Sequence, residues 1–156
     1  MTPRAAWRLE AFGYSPVYDY VVGKSDWLAA GLPTEGVRPH LPRVASVMDR
    51  SVPTCTSQDR IADIAARLAT SGSPVCVVVN DSRVVQGRLR RKRISPDDTR
   101  SVEDIMEPGP ATIRADADLA ETLERMTSRE AACLIVSTPE GEGVLLGVVH
   151  NEAQPA

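Results

Sequence analysis

Val44-Ala45-Ser46-Val47-Met48 and Val102-Glu103-Asp104-Ile105-Met106 fall on one another when the chain is slid along itself by 58 residues. The register holds beyond them. Thr54 meets Thr112, Ile61 meets Leu119, Ala65 meets Leu123, Arg67 meets Arg125 and Leu68 meets Met126. With two further residues in the turn of the second copy, Val84-Val85-Gln86-Gly87 meets Val144-Leu145-Leu146-Gly147. Identities are few, but apolar positions match over about forty residues, which marks an internal repeat.

Each copy follows one order. Residues 53–56 and 111–114 read as short extended pieces ahead of amphipathic helices. Ile61, Ile64, Ala65 and Leu68 fall at i, i+3, i+4 and i+7, and Leu119, Leu123 and Met126 do nearly the same. Ser57 and Asp116 are placed to cap these helices, because their side-chain oxygens can accept from free first-turn N–H groups. Val75-Cys76-Val77-Val78-Val79 and Cys133-Leu134-Ile135-Val136 are continuous apolar runs, as strands buried on both faces require. A tight turn at 80–82 and a longer one at 137–143 lead into second strands ending at Leu89 and Val149. The expected fold is α/β (α+β), built from two β-α-β-β units.

The 156 residues are 42% apolar and 25% charged, which excludes a disordered or fibrous chain. Aromatics are only 4%, so the core is expected to be aliphatic. No apolar run approaches the roughly 20 residues that span a bilayer, and the charged start has no signal-peptide core; a secreted or membrane-inserted protein is not expected. Cys55, Cys76 and Cys133 are odd in number and form neither a CxxC nor a Cys/His cluster. That argues against disulfides and zinc and fits a cytoplasmic, reducing environment. The net charge of −3 hides an asymmetry: residues 1–93 carry 14 Lys and Arg against 8 Asp and Glu, and residues 94–156 carry 4 against 13. Such a split fits either an anionic ligand or two mutually attracting halves.

Taken together, Val-x-x-hydrophobic-Met, the β-α-β-β unit, Ser73-Pro74-Val75 and Gly-hydrophobic-hydrophobic resemble a tandem pair of CBS (cystathionine-β-synthase-type) domains. The resemblance covers residues 44–154, with repeats at 44–100 and 101–156 behind an extension at 1–43. It implies two repeats packed by pseudo-two-fold symmetry around a cleft, a non-catalytic regulatory role, a homodimer, and an unidentified protein that the module regulates. The implied ligand is an adenosyl compound: AMP, ATP or S-adenosylmethionine. Its expected contacts are Thr54, Ser73, Pro74, Val75, Arg88, Arg90 and Arg93 in the first repeat, and Thr112 and His150 in the second. Family members end the last strand with Gly-h-h-Thr/Ser-x-x-Asp, whose Asp holds a ribose diol and whose hydroxyl helps hold phosphate. Here Arg90 and Arg93 stand at those places in repeat one, and His150 and Ala153 in repeat two. Both ribose-binding carboxylates are missing, and the carboxylate available nearby, Glu152, lies one position short. An arginine donates where an aspartate would accept, so a ligand here is expected to be polyanionic.

Residues 11–36 read as a strand at 17–21, then a short helix carrying Trp27 and Leu28, capped by Ser25 or Asp26 and stopped by Gly31 and Pro33. This stretch resembles the closing strand and helix of a rhodanese-like sulfurtransferase domain, and a Pro-rich linker at 33–42 joins it to the repeats. Its expected contribution is packing. Cys55-Thr56-Ser57-Gln58-Asp59-Arg60 has the Cys-x4-Arg spacing of a sulfurtransferase loop, but the cysteine falls on the first strand of repeat one, where a buried apolar thiol is expected. The alternative functions are a sulfurtransferase-derived protein using Cys55, and a nucleic-acid-binding module using Arg88, Arg90, Arg91, Lys92 and Arg93. Arg88, Arg90 and Lys92 would share one face of a strand, but a single basic run without interleaved aromatics is weak support for nucleic acid. His40 and His150 are expected to be surface imidazoles.

Overall fold

The computed structural model describes residues 3–21, 23–35, 41–138 and 143–152. His40, Ala153 and the middle of the 137–143 turn lie outside these residues. The elements in chain order are α1 (Pro3–Ala11), α2 (Gly23–Ala29), α3 (Val44–Val47), β1 (Thr54–Cys55), α4 (Ile61–Ser71), β2 (Val75–Val79) and β3 (Val85–Arg90). A 3-10 turn (Arg91–Arg93) follows, then α5 (Val102–Ile105), β4 (Glu107–Pro108), β5 (Thr112–Arg114), α6 (Leu119–Ser128), β6 (Cys133–Ser137) and β7 (Leu145–His150). The mixed α+β architecture has two small sheets, ordered β1-β2-β3-β4 and β5-β6-β7.

The two copies repeat even in their irregularities. In each, a parallel pair is followed by an antiparallel one. The antiparallel pairs shift register at Val78/Val79 and at Val136/Ser137, and place Gly87 and Gly147 opposite Val78 and Val136. Both second strands run one residue past the expected ends, to Arg90 and His150. Val84 bridges Val144, its own counterpart, and the flanking bonds are reciprocal: Val85 N donates to Gly143 O (3.1 Å) and Leu145 N donates to Arg83 O (2.9 Å). Equivalent residues pairing with each other place a pseudo-two-fold axis at this bridge.

The short helix that opens each repeat packs on the other repeat. Val44 N and Ala45 N donate to Ala117 O and Ala115 O, and Val102 N and Glu103 N donate to Asp59 O and Ser57 O. Val44 and Met48 therefore share a core with Leu119, Met126, Val136 and Val149, while Val102 joins Ile61, Ile64, Leu68, Cys76 and Leu89. A third cluster between the sheets joins Val75, Val77 and Val79 to Ile135, Leu145 and Val148. All three clusters are free of aromatics, as expected, so the interior rests on aliphatic packing.

Both helix caps differ from expectation. Helix α4 starts after Arg60, with no side-chain cap, and Asp59 Oδ2 instead accepts from Thr56 N (2.9 Å). In repeat two the cap is Asp118, accepting from Glu121 N (3.1 Å), while Asp116 pairs with Arg114 (2.6 Å). Ser57 and Asp116 lie in turns that precede the helices by a few residues, so their oxygens cannot reach the first-turn N–H groups. Helix α4 ends on Gly72 at φ 71°, and its counterpart Glu130 takes the same left-handed conformation at φ 51°. One geometry is thus built with and without the residue that favours it.

The N-terminal segment departs most. Residues 17–21 form no strand and pair with neither sheet; β propensity without a partner leaves only irregular backbone. Helix α1 precedes them, and α2 begins at Gly23, which puts Asp26 inside its first turn instead of at its cap. All six aromatics of the chain lie between residues 7 and 27, and every one is at least 37% exposed. Tyr20 and Trp27 meet edge to face at 5.5 Å, Tyr20 Oη donates to Asp26, and Trp27 Nε1 donates to Pro33 O (2.8 Å). Ala29, 4% exposed, anchors the segment in the core of repeat two, and its carbonyl accepts from Arg50.

Candidate functional site

Strand β3 sets Arg88 opposite Val77 and Arg90 opposite Val75, so the two arginines share the face that turns toward the other repeat. After Arg90 the chain leaves the sheet in the 3-10 turn, so Lys92 does not extend that face as a strand would have made it do. Arg93 comes round on the turn to join the cluster. All three guanidinium groups converge on Glu107: Arg88 Nε lies 2.8 Å from Oε2, Arg90 Nε 3.0 Å from Oε1 and Arg93 Nη1 3.2 Å from Oε1. The hydrogen bond from Arg88, with its charge and the weaker help of Arg90, holds the Glu107 carboxyl below the usual carboxylate range against the opposing effect of burial.

Glu107 is absent from the sequence-derived set. Its signal was available: it is the counterpart of Asp49, each standing directly after the Met of the repeat motif, and both backbones pair with the last strand of a repeat. Strand β4 has only two residues, too short for any periodicity to reveal it.

Pro74 and His150 come together. With Thr127, Ala132, Asn151 and Glu152 they line a cleft of about 520 Å³ that draws on both repeats. Pro74 O accepts from Arg91 N, and Ala132 O, its counterpart, accepts from Asn151 N, both at 3.0 Å. Arg90 pairs with Val75, the residue after Pro74, so the cleft and the arginine cluster lie at the same end of the first sheet. Burial raises the thiol of Cys133, at the start of β6, while the charges of Arg88 and Arg90 pull it down. Cys133 is half-buried and lies at this edge, outside the deep interior expected for it.

The remaining expected contacts are dispersed. Ser73 Oγ donates to Val75 O (2.8 Å) and so braces the start of β2. Thr54 O accepts from Arg67 Nη2 (2.6 Å). Thr112 lines a second hollow of about 320 Å³, together with Arg114, Asp118, Glu121 and Arg125. Cys55 is 4% exposed, and its thiol is pushed up by hydrogen bonding with Cys76 and by burial. A nucleophilic thiolate needs exposure and a lowered pKa, and Cys55 has neither, as a core thiol would. Among the described residues no group of three or more His, Cys, Asp or Glu could hold a metal ion, and no helix is long and apolar enough to cross a membrane.

What the arrangement offers chemically is anion capture. A guanidinium can only donate, and three of them around one carboxylate leave an excess of about two positive charges beside an inter-repeat cleft.

No match to the chain is found among curated proteins. Solved structures share the fold. The cytosolic domain of the Mg2+ channel MgtE in complex with ATP matches with TM-score 0.59 at 20% identity, over 69% of this chain and 45% of that one. The CBS domains of a transcriptional regulator from Streptococcus pneumoniae match with TM-score 0.61 at 19% identity, over 71% and 94%. The CBS domain pair of protein MJ0100, in complex with 5'-methylthioadenosine and S-adenosyl-L-methionine, gives TM-score 0.59 at 15% identity, over 72% and 91%. The chain thus spans about half the length of the MgtE fragment and nearly all of the other two. The CBS domain profile matches residues 44–95 and again residues 102–152, and with two copies placed about a pseudo-dyad the chain belongs to the CBS domain family.

Proposed function

We propose that this chain is a regulatory CBS pair that senses an adenine nucleotide, ATP in preference to AMP, at the arginine-lined end of repeat one. CBS pairs are generally regulatory, and the fold relatives above include complexes with ATP and with S-adenosylmethionine. The observation that carries the choice is the convergence of Arg88, Arg90 and Arg93 beside the Pro74–His150 cleft. Polyphosphate oxygens suit those donors; the ribose diol has lost the aspartate that usually accepts from it. Of the other expected contacts only Pro74 and His150 line this cleft, while Thr112 lines the second hollow. Ligand binding acts by linkage, favouring the arrangement of repeats that binds better.

Calorimetry tests this directly. ATP is expected to bind at least tenfold more tightly than AMP, with adenosine and S-adenosylmethionine weaker still, and all phosphate-dependent affinity should fall as salt rises. Arg90→Ala/Arg93→Ala should abolish the preference. Equal binding of adenosine and ATP would overturn the reading.

The pair is proposed to act as a homodimer in the cytoplasm, on a regulated protein that its ligand state controls. The exposed aromatics of residues 7–27 support an association surface, because side chains of this size are rarely left in water without a partner. Light scattering should report twice the 16.8 kDa of one chain at micromolar concentration, and a value of one chain would refute the dimer. The same segment is proposed to be derived from the tail of a rhodanese-like domain, kept for packing; the helix that carries Trp27 and the Trp-x-x-x-Gly-Leu-Pro run support this, while the strand of that pattern is not formed.

A further inference from the structure

We infer that Glu107 is a built-in counter-anion: it holds the place among Arg88, Arg90 and Arg93 that a ligand phosphate would take, and an incoming ligand must displace it. The inference rests on the nucleotide reading above and supplies its regulation.

Three guanidinium groups gathered at the end of β3 and the turn after it repel one another unless an acceptor lies between them, and Glu107 provides both oxygens: Oε2 accepts from Arg88 and Arg90, and Oε1 faces Arg90 and Arg93. One carboxylate satisfies the geometry but not the charge. A polyphosphate carries more negative charge and more acceptor oxygens, so exchanging it for the carboxylate improves both. The exchange is easy to begin. Glu107 is a quarter exposed, Arg90 and Arg93 are 52% and 69% exposed, and pairs this open to water contribute little to stability. Arg88, the closest partner and itself only a quarter exposed, is left for the phosphate that replaces the carboxylate.

Repeat two shows what the device is for. At the places of Arg88 and Arg90 stand Val148 and His150, and the counterpart of Glu107 is Asp49, whose Oδ1 accepts from Ser51 N (2.7 Å). An acid follows the Met in both repeats, but among the described residues it meets arginines only in repeat one. One phosphate site per chain follows, in repeat one. Glu107 also lies on the segment between α5, which packs on repeat one through Asp59 and Ser57, and β5, the first strand of repeat two. Its release therefore acts on the connection between the repeats.

The test compares the wild-type chain with Glu107→Gln, which keeps the shape and removes the charge, using ATP and inorganic tripolyphosphate in calorimetry at fixed low salt. Removing the internal competitor should tighten both probes about tenfold, with one site per chain, and Arg90→Ala/Arg93→Ala should abolish the gain. Binding by Glu107→Gln where the wild type binds undetectably gives the same support. Equal affinity in the two proteins, or weaker binding by Glu107→Gln, would overturn the inference while leaving the nucleotide reading standing. Failure of both proteins to bind either probe would overturn both. Thermal unfolding without ligand checks that the variant is folded; should Glu107→Gln fail to fold, Glu107→Asp, which withdraws the carboxylate by one methylene, should tighten both probes severalfold.

Discussion

Gly147→Ala is expected to lower the unfolding free energy by about 2–3 kcal/mol, at the upper end of what overpacking costs. A Cβ at this position would lie 2.5 Å from Asp49 O and 3.1 Å from Asp49 C, a contact no side-chain rotation can relieve. Asp49 is held where it is by reciprocal bonds with Val148: its N–H donates to Val148 O (2.8 Å) and its carbonyl accepts from Val148 N (2.9 Å). The methyl group must therefore spread the pairing that ties the opening segment of the repeats to β7. Gly87, in the same place in repeat one, is a built-in control. Its Cβ would meet Met106 Sδ at 2.9 Å, the flexible part of a side chain, with Glu107 O next at 3.1 Å. Gly87→Ala should cost less than half as much. Differential scanning calorimetry should show Gly147→Ala melting roughly 5–10 °C below wild type. An unchanged melting point would mean that Asp49 does not pack on Gly147 as closely as described.

This close approach gives a physical reason for the glycine that both repeats carry, and it also shows what a single sequence yields. The repeat, the five-residue strands and the faces of α4 and α6 follow from apolar spacing, because each is decided by neighbours a few residues away. The period of two correctly puts Arg88 and Arg90 on one face. It misplaces Lys92, because a strand ends where its partner ends, and β2 begins at Val75. The caps slip for a related reason. Several polar residues stand before each helix, and which one reaches an N–H depends on the bridges Arg60–Ser101 and Arg43–Asp118, which join distant segments. The missing strand at 17–21 is the same lesson in reverse: Val17, Tyr18 and Val21 have the propensity, and no sheet edge receives them. Glu107 escaped because its partners lie 14 to 19 residues away and it sits on a strand of two residues.

The exchange of opening helices was equally invisible, and it makes the second large expectation counter-intuitive. Val44→Asp should loosen repeat two, although residue 44 opens repeat one. Val44 is 0% exposed and packs among Leu119, Met126, Val136 and Val149, while its N–H donates to Ala117 O. A carboxylate there meets no cation among those aliphatic neighbours, and an uncompensated buried charge costs about 3–5 kcal/mol. The cluster that contains Ile61, Leu68, Cys76 and Leu89 draws its opening helix from Val102 and does not touch Val44. Hydrogen exchange should therefore show early loss of protection in β6 and β7, with β2 and β3 retained longer. Val102→Asp should produce the mirror image, exposing β2 and β3 first. If each substitution instead loosened the repeat that contains it in sequence, the crossed packing of α3 and α5 would be wrong. If both variants lost all protection at once, the central cluster of Val75, Val77, Ile135 and Val148 would be coupling the repeats into a single cooperative unit, and a ligand at the arginine end of repeat one would then be felt throughout the pair.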